Sequence, residues 1–167
     1  RQRQMCIRDR YGDRLARYMD SIGCRPDYFD DLSQVPTDRV DGMTILGDAM
    51  SVLSAVQEQG VALRAVLSEP GCVDVMNPGI NKWNGLEALL RLIRMEREDV
   101  VAIGDYDNDL EMILQSGIVV AVGNARECVK AGADYVTVRD NEAGAAADAI
   151  NELVLGAASG LCLKNGI

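Results

Sequence analysis

Asp105, Asp107, Asn108 and Asp109 lie within five residues, directly after the run Val100-Val101-Ala102-Ile103-Gly104. Carboxylate and amide oxygens at that density suit a hard divalent cation. Magnesium takes one or two carboxylates, keeps several waters and shares the phosphate oxygens of a substrate. The spacing also puts Asp105, Asp107 and Asp109 at the first three ligand positions of a calcium-binding helix-loop-helix. That reading fails, because Leu110 stands where the loop needs glycine and Ser116 where it needs glutamate. The plain alternative is a set of helix caps and surface charges, since carboxylates favour helix N-termini. A second candidate is Lys82, 23 residues ahead of Asp105. It begins an amphipathic stretch, where a cation opposes the helix dipole. Near a metal carboxylate it could neutralise phosphate charge; otherwise it is an ordinary exposed lysine.

Position makes these residues more than a charge cluster. Val100–Ile103 and Ile118–Val122 are continuous apolar runs, Tyr135–Val138 reads as a third strand, and short helical stretches separate them. Such alternation predicts a parallel sheet covered on both faces. Ligands of open α/β sheets bind beyond the carboxyl ends of the strands, where Asp105 would sit once Gly104 turns the chain. Helices are expected at 83–95, 108–115, 126–131 and 143–155. Leu86, Leu89, Leu90 and Ile93 share one face of the first. Gly123-Asn124-Ala125 reads as a strand-to-helix turn at the edge of the same crevice. Upstream, 12–22 reads as an amphipathic helix and 27–38 as a loop. A strand at 43–46, a helix from Asp48 to Gln59 and strands at 62–67 and 72–76 form a small α+β unit.

Composition removes whole classes of chemistry. Histidine is absent from the 167 residues, which excludes every Ser-His-Asp or Cys-His mechanism and every His-ligated metal. The net charge is -9, a poor match for nucleic acid. The five cysteines are widely spaced with no CxxC pair, which predicts reduced thiols in a cytoplasmic protein. The near-apolar run Leu153–Leu163 is well short of the ~20 residues that span a bilayer. Residues 1–10, RQRQMCIRDR, carry +3 and leave -12 on the remainder. A step that sharp reads as a non-native leader and is set aside from fold reasoning.

Lys82 with its following helix, then VVAIGDYDNDLEMI, then SGIVVAVGNARECVKAGADYVTVRDNEAGAAADAI, resembles the haloacid dehalogenase superfamily, and within it the Cof-type sugar-phosphatase-like branch. The resemblance is close over 77–150 and loose over 40–76. It implies an α/β fold: the C-terminal half of a Rossmann-like core at 79–167, preceded by part of an α+β cap domain at 11–78. It also implies a Mg²⁺-dependent phosphomonoesterase of a small phosphorylated metabolite such as a sugar phosphate, working through an aspartyl-phosphate. By position, Lys82 matches the lysine that binds phosphate and steadies the nucleophile. Asp105 matches the magnesium ligand, and Asn108 a residue near the phosphate and metal-water network. Asp109 matches the second acidic residue, which supports the metal largely through water. Tyr106 and Asp107 occupy variable positions with no implied role.

The departure is at the nucleophile. The family carries it in a DxDGT-like motif, and no such string occurs here. Asp41-Gly42-Met43-Thr44 comes nearest, with Arg39 where the first aspartate belongs. The chain is therefore expected to be a C-terminal part of a phosphatase, inactive alone, with an uncovered sheet edge that makes it poorly stable. Other readings are a non-catalytic phospho-ligand or protein-binding domain of the same fold and the phosphorylation domain of a P-type ATPase. The latter shares GD-x-x-ND but predicts neighbouring membrane helices. A receiver-type signalling domain fails on order, because its lysine follows the acidic pocket. No membrane or nucleic-acid partner is expected.

Overall fold

The computed structural model describes residues 5–7, 12–21, 23, 27–29, 31–35, 40–156 and 161–163. Residues 1–4 and 8–10 of the leader, Ile22, Cys24, Pro26, Pro36 and Arg39 lie outside the described residues, as do the side chains of Cys6, Leu15, Tyr18 and Cys162. The chain divides into two compact units that part near residue 78, with Val66–Glu69 grouped in the second.

In the first unit, β1 (Met5–Ile7) pairs in parallel with β2 (Asp27–Phe29), and α1 (Gly12–Ser21) runs between them. Two readings differ here. Residues 5–7 of the leader form a strand, and the stretch expected to be a loop from Asp27 opens with one. Three-residue strands give too short an alternation to stand out in sequence. Next along the chain come β3 (Gly42–Leu46), α2 (Ala49–Glu58), β4 (Arg64–Glu69, of which Val66–Glu69 group with the second unit) and β5 (Cys72–Met76). The sheet order is β3-β5-β4, with β3 and β5 antiparallel from Gly42↔Met76 to Leu46↔Cys72. The central strand buries Cys72, Val73 and Val75. Asp48 caps α2 by accepting from the Ser51 amide, and Gly60 follows the helix at φ +59°, which suits a residue without Cβ.

The second unit holds the acidic cluster. It runs α3 (Lys82–Ile93), β6 (Val101–Gly104), α4 (Leu110–Gln115), β7 (Ile118–Ala121), α5 (Glu127–Gly132), β8 (Tyr135–Thr137), α6 (Ala145–Leu153) and β9 (Leu161–Leu163). The sheet order is β6-β7-β8-β9. The first three strands are parallel, in register Gly104↔Ala121 and Ala121↔Val136. The last is antiparallel, so the sheet is mixed rather than wholly parallel. The core gathers Ile113, Val119, Ala121, Val122, Ala125, Val129, Ala133 and Ala145, with Ile103, Leu110 and Val136 against it.

A reciprocal cap starts α3. Asn81 Oδ1 accepts from the Asn84 amide at 2.9 Å and Asn84 Oδ1 from the Asn81 amide at 3.0 Å. Each side chain satisfies an amide that the first helical turn leaves open. Of the expected apolar face, only Leu90 is buried, while Leu89 and Ile93 stay half-exposed. The reason is topological. Among the described residues β6 is an edge strand, and α3 packs against α4 and the turn Asp107–Asp109. No helix among the described residues is long and apolar enough to cross a membrane.

Candidate functional site

The site is built at the carboxyl ends of β6, β7 and β8. Strand β6 ends on Gly104, and Asp107–Asp109 form one turn of 3-10 helix before α4. Gly104 matters for space rather than for a turn. A Cβ there would lie 2.8 Å from Asp109 Cβ and 2.9 Å from Asp109 Oδ2 and Ile113 Cδ1. The glycine leaves the volume that the Asp109 side chain fills.

Asp109 is 3% exposed, and both its oxygens are committed. Oδ1 accepts from Lys82 Nζ at 2.5 Å. Oδ2 accepts from the backbone N–H of Asp105 at 3.0 Å and, more weakly, of Tyr106 at 3.4 Å. Asp109 therefore fixes the backbone beneath Asp105 and holds Lys82, which comes from 27 residues away. The Lys82 side chain is half-exposed, so its ammonium keeps two further donors for an incoming anion.

Asp105 is less enclosed. Its Oδ2 accepts from Asn141 Nδ2 at 3.0 Å, and its Oδ1 makes no hydrogen bond among the described residues. Asn108 Oδ1 is buried without a partner, a costly state for a carbonyl oxygen. These two hard oxygens fit magnesium. No group of three or more His, Cys, Asp or Glu side chains able to hold a metal ion gathers among the described residues.

Asp107 and Tyr106, which carry no implied role, meet a different partner. Arg126 Nη1 donates to Asp107 Oδ2 at 2.9 Å, its guanidinium lies 5.3 Å from the centroid of the Tyr106 ring, and its backbone N–H donates to the Asp105 carbonyl at 2.9 Å. One residue at the start of α5 thus grips three consecutive residues of the acidic loop. Cys128 Sγ donates to Asp107 Oδ1 at 3.1 Å. Partial burial first, and then this bond and the Asp107 charge, push the thiol pKa up. Asp107→Asn removes the charge, so alkylation of Cys128 by iodoacetamide at neutral pH should become faster, read by mass spectrometry of its peptide. An unchanged rate would remove Asp107 as a cause.

Sequence reasoning placed Lys82, Asp105, Asn108 and Asp109, and the fold brings them into one unit. It missed Asn141 and Arg126. A signal for Asn141 existed, because a loop after any parallel strand reaches the same sheet edge as Asp105. Arg126 carried the same signal as Lys82, a cation at the start of an expected helix, but nothing local pointed to its partners in the acidic loop. A separate groove of about 280 Å³ in the first unit, lined by Leu53, Val56, Val61 and Leu63 among others, includes no residue of the acidic loop.

Comparison with known proteins places the chain in a family. Residues 30–150 match the haloacid dehalogenase-like hydrolases. The phosphoglycolate phosphatase of Methanothermobacter thermautotrophicus is 48% identical over 65 residues, covering 39% of this chain and 29% of its own length. The 5-amino-6-(5-phospho-D-ribitylamino)uracil phosphatase YcsE of Bacillus subtilis is 41% identical over 79 residues, 47% of this chain and 32% of its own. A haloacid dehalogenase-like hydrolase from Bacteroides thetaiotaomicron has a similar structure at a TM-score of 0.66 and 34% identity, covering 83% of this chain and 53% of that one. The chain thus spans about a third to a half of the length of these proteins.

Proposed function

Because the chain belongs to the haloacid dehalogenase-like hydrolase family, we propose that residues 79–167 form the phosphate- and magnesium-binding part of a phosphatase acting on a small phosphorylated metabolite. The observation that carries this reading is the convergence of Lys82, Asp105 and Asp109. A half-exposed ammonium is held against a buried carboxylate, beside a second carboxylate with one oxygen uncommitted. Relatives named as phosphatases of phosphoglycolate and of a phosphoribitylaminouracil support the phosphomonoester class. A sugar phosphate is the finer assignment, from the Cof-type resemblance.

Each residue then has a task. Lys82 binds a phosphate oxygen and keeps its charge next to the reacting centre. Asp109 orients Lys82 and presents the Asp105 backbone. Asp105 Oδ1 and the Asn108 carbonyl oxygen would hold magnesium directly or through water, and the Asn108 amide donates to phosphate. Bound there, magnesium would draw negative charge from the phosphoryl oxygens and ease nucleophilic attack.

The test is binding of inorganic phosphate in the presence of Mg²⁺, read by calorimetry on the 167-residue chain. Lys82→Ala is expected to weaken phosphate about tenfold, the loss of one charge-assisted contact, and Asp105→Asn to remove the Mg²⁺ dependence. Phosphate affinity indifferent to both changes would overturn the reading. Because its sequence contains no DxDGT-like string, the chain itself is expected not to turn over p-nitrophenyl phosphate with Mg²⁺.

A further inference from the structure

Beyond the carboxyl ends of three parallel strands, within four residues of each, lies one polar residue of a connected chain. Asp105 follows β6, Asn124 follows β7 and Asn141 follows β8. The Asn141 backbone N–H donates to Asn124 Oδ1 at 3.1 Å, and Asn124 Nδ2 donates to Asn141 Oδ1 at 2.9 Å. Asn141 Nδ2 then donates to Asp105 Oδ2 at 3.0 Å. The orientation of both amides is forced. A backbone N–H can only donate, so the Asn124 atom facing it is the oxygen. Asn124 therefore turns its NH₂ to Asn141, whose oxygen must receive it. That leaves the Asn141 NH₂ for Asp105.

The approach of β7 to β8 that permits this is fixed by Gly123. Its N–H donates to Thr137 Oγ1 at 3.0 Å and to the Arg139 carbonyl at 2.9 Å. A Cβ at 123 would stand 2.8 Å from the Arg139 oxygen and 3.0 Å from those of Thr137 and Val138. All are backbone atoms, so nothing larger than glycine brings residue 124 this close.

We propose that Asn141, held by Asn124, is a positioning residue for the Asp105 carboxylate. It engages Oδ2 and leaves Oδ1 directed at a divalent cation. The proposal rests on the magnesium reading of Asp105 and adds to it two residues that act through Asp105 without touching the cation. Partners of this kind govern metal affinity by fixing ligand orientation.

The relay makes a prediction whose sign separates it from simple electrostatics. Asn124→Asp keeps an acceptor for the Asn141 N–H but presents a second oxygen to Asn141 Oδ1. The Asn141 amide must flip and turn its own oxygen toward Asp105. A charge effect alone would strengthen cation binding, because a negative group is added. The relay predicts weaker binding.

The experiment is a Mg²⁺ titration of the ¹⁵N-labelled 167-residue chain, followed by the amide signals of Asp105 and Tyr106 and the side-chain NH₂ of Asn141. Asn141→Ala and Asn124→Asp are each expected to raise Kd about tenfold, the lower end for lost orienting partners, with melting temperature unchanged. Asp105→Asn should abolish the response. If Asp105→Asn abolishes it while Kd is unmoved or lowered in the two asparagine variants, the relay is wrong and the magnesium reading stands. If the unaltered chain gives no response, or Asp105→Asn leaves the response intact, the magnesium reading fails and takes the relay with it.

Discussion

Asp109→Ala is expected to destabilise the second unit by about 3 kcal/mol. The buried carboxylate accepts from the amides of Asp105 and Tyr106 and from Lys82. Its removal strands two partly buried amide donors, each at roughly 1–3 kcal/mol, and empties the space that Gly104 leaves open. Asp109→Asn should cost much less, about 1 kcal/mol, because the amide oxygen still accepts from the backbone. Lys82→Ala should change stability little, within ~1 kcal/mol, since that side chain is half-exposed. Urea denaturation of the three variants decides the matter. Equal losses in Asp109→Asn and Asp109→Ala would mean that the charge pair with Lys82, not the capping of the loop amides, holds the turn. The ordering matters for function as well. Asp109 would then be the residue that makes the loop, and Lys82 the residue that uses it.

Gly117→Ala should be comparably damaging. A Cβ at 117 would fall on the Glu98 carbonyl oxygen, with the Glu98 carbonyl carbon and Cα each 2.7 Å away. All three are backbone atoms in a stretch pinned on both sides. The Gly117 N–H donates to the Arg97 carbonyl at 2.8 Å and the Ile118 N–H to the Val100 carbonyl at 3.0 Å. Neither segment can yield without parting β6 from β7, so a loss of about 3 kcal/mol is expected, at the upper end of overpacking costs. Gly60→Ala is the contrast. Its φ of +59° strains an alanine, but nothing lies within 4 Å, so about 1 kcal/mol is expected. Thermal melts would separate the two. Equal effects would mean that the backbone around Glu98 yields to the added Cβ, so that contact at 117 costs little more than the angle at 60.

The parts of the fold that were legible share a physical trait, a strong local signal. Continuous apolar runs marked β6 and β7 because strands covered on both faces need no alternation. Asp48 and Gly60 marked the limits of α2, since caps are local chemistry. The parts that were not legible depend on partners far along the chain. Strands β1, β2 and β9, three residues each, are too short for any periodicity. The apolar face of α3 predicted burial, yet burial needs a neighbour on both sides, and β6 lies at the edge of the described sheet.

The candidate site divides the same way. The sequence by itself determined which chemistry is excluded and where the acidic groups lie. Histidine is absent, and a dense Asp-Asn-Asp cluster directly follows an apolar run. It also established the family, through an order of motifs that spacing preserves. Tertiary structure decided the division of labour. Asp105 and Asp109 look equivalent in sequence, two aspartates four residues apart. Folding buries one, where backbone amides and Lys82 consume both its oxygens, and leaves the other less enclosed, with one oxygen uncommitted. It likewise made Asn141 and Arg126 neighbours of a loop 36 and 19 residues away. Burial and hydrogen-bond saturation belong to the packed chain, and no local string of residues encodes them.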